Sequence, residues 1–307
     1  MNVLGRGLLK GLSSFIDVRS LMNRFRVYGK ITLRIEEVPI VVYSESDDFI
    51  ANEIYYNLGY EREEFKLIRA ITASSRVFVD VGANTGIFSL FASASNPALE
   101  VISYEPHPAN FKRLLKNVSL NKGIRIRPLQ LAVGDNESSI EFTIPDDNSI
   151  STTASANTDF TINFHNIRYR NIRVQQVRLD TVLSMVPLTR KDLIKIDVEY
   201  YELSVLLGAG KLLDEIKPLL IVEILNYDIL VSQHKEMKEK LPSDYGERIR
   251  LLLASKGYLC YSLDEEGIRK HTTMHQPANR NFLFTCVDLG ERLVLYSELS
   301  GYFQRLE

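Results

Sequence analysis

The stretch RVFVDVGANTGIFSLF, from Arg76 to Phe91, decides how the chain folds. Val77, Phe78, Val79 and Val81 form a short run rich in β-branched and aromatic residues, the composition of an interior strand. Asp80 interrupts that run near its C-terminal end. Gly82, Asn84 and Gly86 follow at a spacing of two. Gly adopts positive φ freely, and Asn tolerates the left-handed region better than most residues, so the turn can be tight. Ile87, Leu90 and Phe91 then recur at helical spacing. A strand, a glycine-bearing turn and a helix N-terminus in succession make a cradle for a nucleotide-like ligand. A tight turn without a ligand is the plainer alternative.

The surroundings fit an ordinary globular chain. Its 307 residues are 45% hydrophobic and 25% charged, enough for one large domain or a domain with extensions. A net charge of -2 gives no general pull toward nucleic acid or anionic membrane. No apolar run approaches the roughly 18 residues that span a bilayer. Cys260 and Cys286 both fall in strand-like stretches and read as buried thiols rather than a disulfide, which is compatible with a cytoplasmic location. Residues 1–27 are basic and amphipathic, with Leu4, Leu8, Leu12, Phe15 and Ile16 on one face. A helix docked on the body or on a second copy in a homodimer is the plain reading. Contact with a membrane surface is the alternative.

Alternation at residues 28–44 predicts a hairpin, and residues 46–73 read as helical. EVISYEP is a second core strand, and its Glu105 lies 19 residues beyond Gly86. An acid at a strand end about 20 residues past the turn is where the two hydroxyls of a ribose are held in such folds. Residues 108–121 form a helix, and residues 124–131 a third strand running into Ala132, Val133, Gly134 and Asp135. From Ser138 to about residue 175, strand-like segments flank a polar loop rich in Ser and Thr. His165, Arg168, Tyr169 and Arg170 there could meet a polar or anionic substrate, though a solvated loop accounts for them equally. DLIKIDVE ends a fourth core strand, placing Asp197 and Glu199 at its exit, and KPLLIVEILN is a fifth, ending near Glu223. Residues 227–255 read as helical, and two further strands follow at residues 257–263 and 281–287. His271 and His275 lack a third ligand nearby, so no metal site is expected.

The glycine offsets distinguish two kinds of ligand. The dinucleotide fingerprint G-x-G-x-x-G would fall on Gly82, Asn84 and Ile87, with Gly at only one position of three. The pattern D-x-G-x-[GN]-x-G is met by Asp80, Gly82, Asn84 and Gly86, and resembles the first motif of class I S-adenosyl-L-methionine-dependent methyltransferases. DVGANTG looks most like the FkbM branch. YEPHP is similar to that family's IEP-x-P string, and AVGD to the segment that borders the adenine. The most specific likeness is KIDVE-x-x-E-x-x-VL-x-G, met by Lys195, Ile196, Asp197, Val198, Glu199, Glu202, Val205, Leu206 and Gly208. One departure stands out: the family usually carries Gly after DVE, whereas Tyr200 and Tyr201 follow here. Such a pair would narrow the space beside Asp197 or stack on a ring.

The resemblance runs from about Gly59 to Cys286. It implies an α/β fold with a doubly wound, mostly parallel seven-stranded sheet. The implied boundaries are an N-terminal extension at residues 1–70, a methyltransferase domain at 71–290 with an insertion at about 138–175, and a tail at 291–307. S-adenosyl-L-methionine would be held by Asp80, Gly82, Ala83, Asn84, Gly86, Glu105, Pro106, Ala132, Val133, Asp135 and Asp197. A capping role is the plain alternative for Asp135. The implied reaction is methyl transfer, most often to a hydroxyl oxygen of a sugar or a natural product. Asp197, then Glu199 and Glu223, are the candidates for a proton acceptor, because a strand-end acidic cluster can both stabilise a sulfonium and take a proton. A catalytically silent cofactor-binding subunit and an NAD-dependent oxidoreductase are the competing readings.

Overall fold

A computed structural model describes residues 26–45, 48–56, 59–147, 149, 151, 154–157, 168–233, 235–264, 267–274, 281–290, 292–293 and 299. The amphipathic segment up to residue 25, His165, His275 and nearly all of the tail lie outside these residues. Strands β1 (Gly29–Ile35) and β2 (Val38–Ser44) form the expected hairpin. Its turn residues, Glu36 and Glu37, both take positive φ, the backbone twist that suits a two-residue hairpin loop. Leu33, Ile35, Ile40 and Val42 put one hairpin face into the core. Helices α1 (Phe49–Tyr56) and α2 (Arg62–Thr72) follow, and α2 buries Phe65, Leu67, Ile68 and Ile71 on one stripe.

The first half of the doubly wound core runs β3 (Val77–Val81), α3 (Ile87–Ser95), β4 (Glu100–Tyr104), α4 (Pro108–Ser119) and β5 (Ile126–Leu129). The chain then leaves the main sheet. Strands β6 (Ala132–Gly134), β7 (Ser138–Pro145) and β8 (Tyr169–Arg178) make a separate three-stranded sheet in the order β6-β8-β7. The core resumes with β9 (Leu193–Ile196), α5 (Glu202–Leu207), β10 (Leu219–Glu223), α6 (Tyr227–Gln233) and α7 (Tyr245–Ser255). It closes with β11 (Leu259–Asp264), β12 (Gly267–His271), β13 (Asn281–Thr285) and β14 (Arg292–Leu293).

The main sheet has nine strands in the order β14-β12-β11-β13-β10-β9-β3-β4-β5. Strands β5, β4, β3, β9 and β10 are parallel neighbours, and β13 is antiparallel to β10. With β11, these are the seven strands the sequence leads one to expect. The two beyond that number, β12 and β14, extend the β11 edge. His271 therefore belongs to a strand rather than to a loop, with Nε2 2.7 Å from Ser262 Oγ. Residues 227–255 are not one helix: a 3-10 turn at Lys235–Glu239 and Pro242, which cannot donate a backbone bond, separate α6 from α7. Both cysteines are free thiols, Cys260 buried and Cys286 half-buried.

Apolar layers cover both faces. Helices α2 and α3 and the hairpin pack on one face through Phe65, Phe88, Phe91 and Leu33. Helices α5 and α7 pack on the other through Val205, Leu206, Ile249 and Leu253. The chain passes from β3 out to β4 and β5, then returns to β9 on the other side of β3. That reversal opens a crevice at the C-terminal ends of β3 and β9, where ligands bind in open α/β sheets. No helix among the described residues is long and apolar enough to cross a membrane.

Candidate active site

The turn after β3 is held from beneath and pressed from the side. Gly82 N and Ala83 N both donate to Tyr104 O, at 3.0 and 2.9 Å, and Gly86 N donates to Ala83 O at 2.8 Å. Gly82 has φ 86° and Asn84 φ 51°. A Cβ on Gly82 would overlap the Asp197 carbonyl oxygen, so this glycine is needed both for its φ and for the close approach of the β9 exit. Asp197 N in turn donates to Val81 O at 3.0 Å. Asp80 stays beneath the turn: buried, it accepts from Ser89 Oγ at 2.5 Å, and burial pushes its carboxyl pKa up. Hairpin and turn are coupled through α4, since Asn117 Oδ1 accepts from Tyr43 N and its Nδ2 donates to Thr85 O, both at 2.8 Å.

Glu105 sits at the end of β4 with its carboxylate oriented by two amides. Asn84 N donates to Oε2 at 2.7 Å and His107 N to Oε1 at 2.8 Å. Only 4% of Glu105 is exposed, and burial pushes its pKa up to about 7 despite those bonds. Each oxygen keeps further accepting capacity, which suits two adjacent hydroxyls. His107 serves the helix that follows it. Its Nδ1 accepts from Ala109 N at 3.0 Å and caps α4, while burial lowers its pKa to about 4.

A cavity of ≈ 230 Å³ opens above the turn, and its wall includes Gly82, Ala83, Asn84, Glu105, Pro106 and Asp197. The insertion covers one side: Ser151 O accepts from Asn84 Nδ2 at 3.2 Å and from Asn110 Nδ2 at 2.8 Å. A narrower pocket of ≈ 20 Å³ adjoins it, sharing Gly82, Pro106, Phe142 and Val198. Its apolar walls are Tyr104, Leu131, Ala132, Val133 and Tyr201. The donor chemistry of the larger cavity fits a ribose and a polar tail. The apolar slot matches a purine in character, but its walls would have to widen to take one. Asp135 is exposed, outside both linings; its amide donates to Ser204 Oγ at 3.2 Å and its Oδ1 accepts from Asn136 Nδ2 at 2.8 Å.

Acidic residues converge at the opposite end of the cavity. Carboxylate oxygens of Asp197, Glu199 and Glu223 all lie within 4.8 Å of one another. Lys195, 1% exposed, places Nζ 2.5 Å from Asp197 Oδ2 and 4.5 Å from the centroid of the Phe88 ring. Burial alone would pull the Lys195 pKa down, but Asp197, Glu61 and Asp80 together raise it. Burial, then Asp197 and Glu199, push the Glu223 carboxyl well up. Tyr60 and Glu61, which precede α2, also line this end. Nothing in the sequence marks these two residues as part of a site; they are brought in by the packing of the front segment over the turn.

Tyr200 does not narrow the space beside Asp197. It turns into the core, 3% exposed, and stacks on Tyr245 with centroids 4.3 Å apart. Glu199 and Tyr200 take successive left-handed conformations, at φ 55° and 67°. Glu202 supports this bend by accepting from Val198 N and Tyr200 N on Oε1, at 3.3 and 3.1 Å, and from Tyr245 Oη on Oε2 at 3.0 Å. Ser155 Oγ donates to Glu199 O at 2.7 Å. Tyr201 faces the narrow pocket, and its hydroxyl donates to Gln176 Oε1 at 3.0 Å.

The family model described as "Methyltransferase FkbM domain" matches residues 80–260. Methyltransferase 1 of Beauveria bassiana (strain ARSEF 2860) is 25% identical over 206 residues, covering 64% of this chain and 76% of that protein. Methyltransferase sdnD of Sordaria araneosa is 28% identical over 96 residues, covering 31% of this chain and 34% of that protein. The crystal structure of the FkbM methyltransferase from Methylobacillus flagellatus KT overlays with a TM-score of 0.42 at 19% identity, over 69% of this chain and 44% of that one.

Proposed function

Because the chain belongs to the FkbM methyltransferase domain family, we propose that it transfers a methyl group from S-adenosyl-L-methionine to a hydroxyl oxygen of a sugar or natural-product acceptor. The observation that carries this reading is Glu105, whose two oxygens are aimed by the amides of Asn84 and His107 beside the Gly82 turn. A paired acceptor of this kind suits a ribose diol. The cofactor is S-adenosyl-L-methionine, which when bound supplies an activated methyl group on a cationic sulfur.

The chain's own residues divide the remaining work. Glu105 fixes the ribose, and the backbone of Gly82, Ala83 and Asn84 shapes the floor. The apolar slot between Tyr104, Val133 and Tyr201 takes the adenine after widening. Asp197 and Glu199 supply negative charge where positive charge must be held, and Glu223 hydrogen-bonds Asp197 beside them. Phe49, Tyr60 and Phe88 border the acceptor end and exclude water from it. Alignment of the reacting groups supplies much of the rate enhancement in such reactions. Among the described residues the cavity lining includes no lysine, arginine or histidine, so a neutral hydroxylated acceptor fits better than a phosphorylated one.

Calorimetric titration with S-adenosyl-L-methionine, with NAD as comparison, on the wild type and Glu105→Ala tests this reading. Micromolar binding of the methyl donor, none of NAD, and loss in the variant is the expected result. Absence of binding by both S-adenosyl-L-methionine and its demethylated product would overturn it.

A further inference from the structure

The acidic end contains a carboxylate that the cofactor and acceptor reading leaves without a role. Glu61 precedes α2 in a left-handed conformation, φ 38° and ψ 42°, with no side-chain cap bond to the helix it starts. Glu has no intrinsic preference for that region, and such strain gathers where a side chain must be aimed. The carboxylate lines the cavity wall with Asp197 and Glu223. Its Oε2 is sealed from solvent and has no hydrogen-bond partner among the described residues, while the Tyr60 hydroxyl bonds to the same carboxylate.

Four other carboxylates in or beneath the cavity are already engaged. Asp197 is clamped to Lys195 at 2.5 Å. Glu223 shares a hydrogen bond with Asp197. Glu105 is held by two amides, and Asp80 lies beneath the turn with Ser89. From these contacts and the orientation of the cavity we infer that Glu61, contributed by the segment before the core, receives the proton of the acceptor hydroxyl. This inference rests on the methyl-transfer reading above. In the step, the acceptor O–H bond breaks and its proton passes to the Glu61 carboxylate. The oxygen lone pair forms the new bond to the methyl carbon, and the electrons of the broken S–C bond return to sulfur, leaving a neutral thioether.

The groups facing Glu61 set its charge. Burial raises its pKa to about 8, with Asp197 and Glu64 pushing in the same direction and Lys195 and the Tyr60 hydroxyl opposing them. Glu223 is a further carboxylate, and charge on either one opposes ionisation of the other. Glu61 is thus neutral at low pH and ionises as pH rises through about 8. An ionised Glu61 favours a cationic sulfur and has no such preference for a neutral one.

The test compares S-adenosyl-L-methionine with its demethylated product by calorimetry from pH 6 to 9.5. Wild type is expected to gain up to about tenfold in affinity for the sulfonium relative to the thioether as pH approaches about 8. Glu61→Gln should bind the thioether within about threefold of wild type, showing an intact site, and lose the pH-dependent difference. Glu61→Asp provides a second variant that retains the charge if the glutamine protein folds poorly. On a hydroxyl acceptor, Glu61→Gln should lower kcat roughly 100-fold and flatten its rise with pH. An unchanged pH-dependent difference in the glutamine variant, or undiminished kcat, would overturn the role of Glu61 while leaving the methyltransferase reading intact. Failure of both ligands to bind the wild type would overturn that reading, and this inference with it.

Discussion

At one end of the cavity Glu105 is a carboxylate held by donors: two backbone amides point at it, each from a residue within a sequence motif. At the other end Asp197, Glu199 and Glu223 cluster with Glu61 on the same wall; one buried lysine pairs Asp197, and like charges make Glu61 and Glu223 harder to ionise. The first end is set by local chain geometry, with its carboxylate fixed by two amides. The second is assembled from three distant segments and brings four carboxyl groups together with a single buried lysine. The amide-held end can therefore be rigid, while charge at the acidic end responds to ligand and pH.

The largest effect should come from the residue that joins the two ends. Gly82→Ala would drive a Cβ into the Asp197 carbonyl at a φ that alanine rarely adopts. A loss of roughly 3–5 kcal/mol of stability is expected, because neither backbone segment can yield. A melting temperature lowered by about 5–8 °C would accord with that in a domain of this size. A melting temperature unchanged within about 2 °C would mean that the ends are not packed as rigidly as the contact implies.

Glu105→Ala tests the donor-surrounded end by itself. Two charge-assisted hydrogen bonds are lost, worth about 1.5–3 kcal/mol each, so affinity should fall at least roughly 100-fold. The loss should be equal for S-adenosyl-L-methionine and its demethylated product, since ribose is common to both. Asp197→Asn, measured beside it, should act in the opposite sense: an effect on kcat of about 10-fold or more with a smaller change in thioether affinity. Equal losses in both variants for both ligands would erase the distinction between the ends.

How far the sequence foretells each end follows from the same contrast. The order β3-turn-α3, Glu105 and the exits of β9 and β10 are written in contiguous strings, because the strand and turn that place those side chains are local. Glu61 is not, because its part depends on α2 packing across the turn, and a lone acid before a helix carries no mark of that. Tyr200 misleads for a related reason. Glycine would suit its φ of 67°, but tertiary contacts with Tyr245 and Glu202 hold a tyrosine there and draw it away from the cavity. The strands β12 and β14 are short additions at a sheet edge, with no feature that separates them from loops in sequence.

Tyr200→Gly turns that explanation into a smaller, signed effect. Glycine relieves about 1 kcal/mol of backbone strain. Removal of a buried, stacked aromatic costs about 3–5 kcal/mol. The variant should therefore be destabilised by roughly 2–4 kcal/mol in chemical denaturation, with cofactor affinity changed less than about threefold. A stabilised variant would place the strain above the packing, and a large affinity loss would return Tyr200 to the cavity wall.

The finest discrimination comes from proton linkage, because the two ends titrate for different reasons. Glu105 is raised to about 7 by burial, so it loses charge as pH falls through that value. A neutral carboxyl accepts hydroxyl bonds less strongly, and affinity for both the sulfonium and the thioether should drop by about tenfold below the step. Glu61 is raised to about 8 by burial and like charges, and should affect only the sulfonium. The linkage to folding has the opposite sign to the usual salt-bridged acid: a carboxyl whose folded pKa lies above its unfolded value loses stability as pH rises from about 4.5 toward 8. Glu61→Gln removes that loss, so its melting temperature should gain on the wild type across the same window. Binding curves that share one step for both ligands, together with a pH-independent difference in melting temperature, would reduce the two ends to one.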